Sequence, residues 1–385
     1  MTDSTFDPTA PLETRAEQAM AFAQRQVLAL TERHPDFFPM FTENGRWQHG
    51  KASWTNWCEG FLPGQMWIFA RRTGEIEWRK RAEHYSRLIE ERQHDRNVHD
   101  LGFLFWSTWK RWYDLTGDEA VKDVVVTAGA TMGHRFNEKG RYLQSFVAPV
   151  STFIDIMMNV GIIFYAAQEL GDDDLLRQVT EHCLTTRRYL VRGDGSTAHE
   201  GIFDLETGEF LRQSTHQGWR GDSSWARGQA WALLGFGTAY RLSRDARFLD
   251  VAQRCADYFI DSTDEGGVPP NDWMEETSGR RRWESSAAAI AASGLFQLAE
   301  LSRVGDPAVA ADPARAAGYL AAARGTMDTL LSPEFLAVDT PGWEGILRHG
   351  SYHERLDLGV DESVMWGEYF FVEALDKLLG AEACS

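Results

Sequence analysis

Asp155 stands alone as an acid in Thr152-Phe153-Ile154-Asp155-Ile156-Met157-Met158-Asn159, ahead of the apolar run Val160-Gly161-Ile162-Ile163-Phe164-Tyr165. A carboxylate among such neighbours is costly to bury unless it is partnered or protonated. It is therefore a candidate for an acid that keeps its proton near neutral pH. The competing reading is an aspartate that caps a helix or faces its dipole. A second acid, Asp100 of His99-Asp100, opens another aromatic stretch, and two carboxylates meeting across a cleft suit glycoside chemistry. Arg227, in Trp225-Ala226-Arg227-Gly228-Gln229-Ala230-Trp231, could grip a substrate carboxylate bidentately. Its alternative is an internal salt bridge with Asp222 or a neighbouring helix. Gly228 would let a ligand or another backbone come close. His199, His216 and Gln217 flank a hairpin expected at 201–211, and exposed loop histidines taken singly are usually just solvated. Trp54, Trp57 and Trp231 add aromatic faces of the kind that sugar clefts use.

These residues need elements to hold them, and the hydrophobic pattern supplies helices in pairs. Residues 13–33 repeat apolar positions at steps of three and four, as an amphipathic helix does. Residues 54–72, 99–116, 153–170, 223–243, 284–303 and 362–379 are apolar on most faces and read as buried helices, the first with a kink at Pro63-Gly64. Most end at Gly-Asp or Arg-Asp and are followed by an amphipathic helix. A glycine there takes the left-handed conformation, and the acid meets the positive end of the next helix. About six such pairs are better hidden in a closed ring than in an open solenoid. The expected fold is an all-α (α/α)6 barrel forming one domain over 1–385. Its long loops, 139–151, 191–222, 264–283 and 333–361, all precede inner helices and so gather at one mouth, where function is expected.

Composition narrows the chemistry. A formal net charge of −18 disfavours nucleic acid and anionic membranes as partners, and an anionic substrate would need a local cluster of Arg and His. Cys58, Cys183, Cys255 and Cys384 are scattered without a CxxC pair, which argues against a disulfide framework or thiolate metal site. No apolar stretch approaches the roughly 20 residues of a membrane span, and the start lacks a secretory pattern. A cytoplasmic protein, monomer or homodimer, is expected. His349 and His353 lie in a loop-like segment and no HExxH occurs, so no metal is expected. No Gly-rich nucleotide loop and no GxSxG elbow is present, so no cofactor is expected either.

His99-Asp100-Leu101-Gly102-Phe103, Ile154-Asp155 with Met157-Met158-Asn159, Thr215-His216-Gln217-Gly218 and Asp222-Ser223-Ser224-Trp225-Ala226-Arg227-Gly228-Gln229-Ala230-Trp231 together resemble glycoside hydrolase family 88, the unsaturated glucuronyl hydrolases. The resemblance runs from about residue 50 to the C-terminal Asp361-Glu362-Ser363-Val364-Met365-Trp366. It implies an (α/α)6 barrel, in agreement with the helix pairs. It also implies Asp155 as acid/base, Asp100 as the second essential carboxylate, and His199, Gln217, Arg227 and Trp231 as substrate-binding residues. Phe146 falls where relatives carry a stacking tryptophan. The expected substrate is an oligosaccharide with a 4,5-unsaturated uronate at its non-reducing end, cleaved by acid/base-catalysed hydration of the C4=C5 vinyl ether. Three alternatives remain at this stage: an ordinary α/α-barrel glycosidase on saturated or rhamnogalacturonan-derived sugars, a sugar 2-epimerase, and a helical protein that binds sugar without turnover.

Overall fold

The computed structural model describes residues 6–49, 54–275 and 283–380. The helices in chain order are α1 (Leu12–Arg33), α2 (Phe61–Thr73), α3 (Ile76–Leu88), α4 (Leu101–Phe105), α5 (Trp109–Thr116), α6 (Glu119–Gly133), α7 (Val160–Leu170), α8 (Asp173–Tyr189), α9 (Ala226–Ser243), α10 (Ala246–Ser262), α11 (Ser285–Val304), α12 (Pro313–Leu330) and α13 (Met365–Gly380). The inner ring runs α2, α4 with α5, α7, α9, α11, α13, and α13 packs back on α2 to close it. Helices α1, α3, α6, α8, α10 and α12 lie outside. α9 and α11 are buried on nearly every face, whereas α8 buries the single stripe Leu175, Val179, His182, Cys183 and Thr186. That contrast is what a double-layered toroid requires of its two layers, and the expected (α/α)6 barrel is the observed one.

The junctions follow the expected chemistry. Gly74, Gly117 and Gly171 end their helices in the left-handed conformation, and Arg244 does so at φ 59° where glycine is lacking. Asp118, Asp172 and Asp245 then accept backbone N–H groups of the next helix, each a cap worth ~1 kcal/mol. Cys58, Cys183 and Cys255 are buried free thiols, and Cys384 lies outside the described residues.

Inner helices depart from the expected spans at their starts. The first begins only at Phe61, so Pro63 sits in its first turn, where the missing N–H has no helical partner to lose and no kink follows. The 99–116 stretch breaks between α4 and α5, where the Ser107 and Thr108 hydroxyls bond back to the Phe103 and Leu104 carbonyls. The 153–170 stretch opens as strand and a 3-10 turn (Ile154–Met158) before α7 starts at Val160. The last helix starts at Met365, after strand residues that include Asp361 and Glu362. Glu362 faces Thr42, Asn44 and Gly45 instead of the central mouth.

The strands are short and belong to the loops: β1 (Thr42–Glu43), β2 (Arg46–Trp47), β3 (Phe136–Asn137), β4 (Tyr142–Leu143), β5 (Ser151–Phe153), β6 (Glu200–Phe203), β7 (Phe210–Ser214), β8 (Gly350–His353) and β9 (Leu358–Glu362). β6 and β7 form the expected hairpin, turning through Gly208 at φ 78°, and β5 adds antiparallel to β6. Among the described residues no helix is long and apolar enough to cross a membrane.

Candidate active site

Strand pairing fixes the first carboxylate. Phe153 lies opposite Glu200 in the β5–β6 ladder, and the Ile154 N–H donates to the His199 carbonyl at 2.9 Å. The chain then enters its 3-10 turn, and Asp155 projects from it without capping anything. Asp100 occupies the N-cap position of α4, yet its side chain makes no capping bond either. Asn159 joins the two: its amide nitrogen lies 3.3 Å from Asp100 Oδ1 and 3.3 Å from the Asp155 carbonyl, while its Oδ1 accepts from Phe103 N–H at 3.0 Å. Gly102 makes this approach possible, since a Cβ there would fall 2.7 Å from both Asn159 Cα and Oδ1. Gly228 serves a similar purpose, letting α9 pack against Ile154 and the Trp225 ring; its close neighbours are protein side chains, not a ligand.

A histidine accompanies each acid. His99 Nδ1 accepts from the Phe146 N–H at 3.0 Å, so Nε2 carries the proton and faces Asp100 Oδ1 at 3.3 Å. Burial holds this imidazole neutral, with its pKa down at about 3. His199 Nδ1 lies 3.2 Å from the N–H groups of His216 and Gln217, which turns its Nε2–H toward Asp155 Oδ2 at 3.4 Å. That last contact is close but lacks hydrogen-bond alignment, so both atoms remain without a full partner. His199 thus stands behind Asp155, with its Nε2–H turned toward that acid.

Burial raises Asp100 well above the ordinary carboxylate range, and the charge of Asp155 adds to the rise. Asp155 is also pushed up by burial, but His199 and Arg227 outweigh this and leave it below its ordinary value. The neutral state of His99 gives it a dipole's influence on Asp155, not a cation's. Two interacting carboxylates with separated values share one proton over a wide pH range. In the free site the two shifts run in opposite directions, Asp100 upward and Asp155 downward.

Asp155, Asp100, His216, Gln217, Arg227, Trp231, Trp54 and Phe146 line one cleft, joined by Trp57, His99, Phe103, Phe153 and Tyr352. Arg227 is 2% exposed and engaged from within: Nη1 meets Glu284 Oε2 at 3.0 Å and the Ser351 carbonyl, and Nη2 donates to the Tyr352 carbonyl at 2.9 Å. Its ion-pair partner is therefore Glu284, while Asp222 pairs with Arg220. Three of its five donors are taken, so the internal salt bridge weighed for it is present, with Glu284 at the start of α11 as the partner. Gln217 donates to the same Tyr352 carbonyl at 3.1 Å. His216 stacks on Phe153, and Trp54 and Phe146, each 38% exposed, meet at 4.8 Å on the rim.

Asn159 and His99 stand within the sequence motifs with no role expected for either. His99 is adjacent to Asp100, a signal that was available; Tyr352 arrives from the 333–361 loop with no local pattern to mark it. Among the described residues no group of three His, Cys, Asp or Glu side chains could hold a metal ion.

A closed α/α ring carrying two uncapped carboxylates, one buried and one partly buried, in an aromatic cleft is an arrangement suited to glycoside hydrolysis. The chain matches the model for Glycosyl Hydrolase Family 88 over residues 22–297 and belongs to that family. It is 32% identical to an unsaturated glucuronyl hydrolase of Bacillus sp. (strain GL1) over 336 residues, covering 84% of this chain and 86% of that one. It is 30% identical to an unsaturated chondroitin disaccharide hydrolase of Streptococcus pneumoniae, covering 83% and 81%. A crystal structure of an unsaturated glucuronyl hydrolase specific for heparin superposes with TM-score 0.85 at 25% identity, covering 97% of this chain and 98% of that one.

Proposed function

We propose that the whole chain acts as one catalytic domain that removes the 4,5-unsaturated glucuronyl group from the non-reducing end of glycosaminoglycan-derived oligosaccharides. The observation that carries this reading is a set of buried polar atoms left without partners around one cleft: Asp155 Oδ2, His199 Nε2 and Trp231 Nε1. Buried polar atoms are nearly always satisfied, so a cluster of exceptions calls for a polar ligand. The cleft holds only about 50 Å3, well under the ~300–1,000 Å3 of ligand pockets. A sugar ring therefore enters by displacing side chains, and the half-exposed Trp54 and Phe146 are placed to give way and then to stack on it.

C4=C5 of the substrate is a vinyl ether because C5 also bears the ring oxygen. The substrate carboxylate, arriving beside Arg227, offsets its charge and expels water, and both effects raise Asp155. Asp155 then carries the shared proton in the complex and delivers it to C4. The positive charge that develops spreads over C5 and the ring oxygen. Asp155, now a base, takes a proton from a water that adds at C5. The resulting hemiketal opens, the former ring oxygen becomes a hydroxyl on C1, and the aglycone leaves with a proton. One water is consumed. Bond-making occurs at C5 and not at the anomeric carbon, so the carboxylate spacing that separates retaining from inverting enzymes does not apply. Asp100 holds Asn159 and supplies the like charge that keeps a proton in the pair.

The test is turnover of a lyase-generated chondroitin disaccharide in heavy water, followed by loss of alkene absorbance. Deuterium at C4 is expected, and Asp155→Asn should lose at least ~100-fold in rate with its fold intact. An active Asp155→Asn variant, or absence of label at C4, overturns the reading.

A further inference from the structure

The roomier void is at the other end of the ring. A cavity of about 640 Å3 opens where the inner helices end, and Phe103 is the single lining residue it shares with the catalytic cleft. Its walls carry five cations (Arg71, Lys110, Arg111, Arg241, Lys377) against three carboxylates (Asp114, Glu373, Asp376), a local excess of positive charge in a chain whose formal net charge is −18. Helix C-termini attract cations without any ligand, so the excess alone assigns nothing. Two side chains go further. Arg111 and Lys377 are tied to Glu373, but Arg241 makes no hydrogen bond or ion pair with any described residue. The Arg241 side chain is exposed where it lines the cavity, with Glu373 and Glu300 as its more distant charged surroundings. Tyr165 faces the same cavity, and its buried hydroxyl has no hydrogen-bond partner.

We propose that this cavity is a second, non-catalytic binding site for an acidic saccharide, with the acid group on Arg241 and a ring hydroxyl on Tyr165. The volume falls within the ~300–1,000 Å3 of small-molecule sites and suits one or two sugar rings. Its wall is mixed in the way a sugar needs: Trp106, Phe61 and Phe370 are apolar faces beside the charged groups. A guanidinium fork matches a carboxylate or sulfate group geometrically. The site does not depend on the catalytic reading, because Arg241 and Tyr165 lie away from the cleft.

The experiment is calorimetric titration of the full chain with three probes: sodium sulfate, free glucuronate, and a saturated 6-sulfated chondroitin disaccharide, which lacks the C4=C5 bond. Saturable binding of the disaccharide is expected, weakened ~10-fold or more by Arg241→Gln and ~3-fold or more by Tyr165→Phe. Asp155→Asn should leave that binding unchanged, and Arg241→Gln should keep basal turnover of an unsaturated disaccharide. Were Arg241→Gln to unfold, Arg241→Lys, which keeps the charge but loses the fork, should still weaken binding ~3-fold. No saturable uptake up to ~10 mM, binding indifferent to both substitutions, or binding abolished by Asp155→Asn overturns the proposal. Sulfate binding as tightly as the disaccharide overturns the sugar part of it.

Discussion

His199→Phe isolates what a histidine behind the acid contributes. The imidazole lies between Phe153 at 4.7 Å and Trp225 at 4.6 Å, so a phenyl ring keeps most of the packing. Two polar functions disappear. The Nε2–H that faces Asp155 at 3.4 Å is lost, and so is the acceptor 3.2 Å from the His216 and Gln217 N–H groups. Leaving those N–H groups short of an acceptor costs ~1–3 kcal/mol of stability. A hydrogen bond to a charged group is worth ~1.5–3 kcal/mol, which corresponds to ~10–150-fold in kcat/KM if the contact tightens to a full hydrogen bond in the transition state. The direction with pH follows from Asp155. His199 helps hold its folded value below the ordinary 3.8, so this part of stability is present above that value and lost as pH falls through the folded one. The stability gap between wild type and variant should therefore narrow in acid. With His199 gone, burial dominates Asp155, and the acid limb of kcat/KM should move to higher pH. Initial rates of absorbance loss across pH, alongside denaturant midpoints, measure both effects. An unchanged kcat/KM with an unmoved acid limb would refute the assignment of His199 to Asp155.

Arg227→Met should destabilise by ~3–5 kcal/mol, because Glu284 is left fully buried with Ser286 and Ser351 as its remaining donors. Adding Glu284→Gln should restore part of that loss in denaturant titrations; strict additivity would mean the two do not form a coupled pair. Gly102→Ala should cost ~1–3 kcal/mol through its clash with Asn159, and kcat should fall more than KM rises because Asn159 orients Asp100. Trp54→Ala and Phe146→Ala, at the exposed rim, should raise KM about threefold or more with kcat nearly intact, read from saturation curves. A loss confined to kcat would place those rings elsewhere in the reaction.

The ring itself was legible because its determinants are local. Gly-Asp and Arg-Asp junctions act through the conformation of one residue and the side chain of the next, and Gly171-Asp172 and Arg244-Asp245 behave as their chemistry requires. The starts of inner helices were less legible because they depend on contacts made at long range. Ile154 reads as helix by composition, yet its N–H is taken by the His199 carbonyl, 45 positions away, and the segment becomes strand and 3-10 turn. The partner of Arg227 was hidden for the same reason. Its partners, Glu284 and the carbonyls of Ser351 and Tyr352, come from segments that only the closed ring brings together.

Capping separates the acids that can do chemistry from those that cannot. An aspartate that accepts helix N–H groups has its oxygens engaged and its charge matched by the helix end. Asp118, Asp172 and Asp245 are of this kind, on the outer side of the ring. Glu284 is of this kind at the inner mouth, where it caps α11, binds Arg227 and receives the Ser351 N–H. Asp100 and Asp155 occupy equivalent ends of inner segments and cap nothing. For Asp155 the 3-10 turn is the reason, since it carries the side chain away from the start of α7 and into the cleft. For Asp100 the reason is Asn159, whose amide claims Oδ1 from the start of the neighbouring α7. Restoring either cap should therefore silence the enzyme without unfolding it, because the same carboxylate cannot both hold a helix end and exchange a proton with its neighbour.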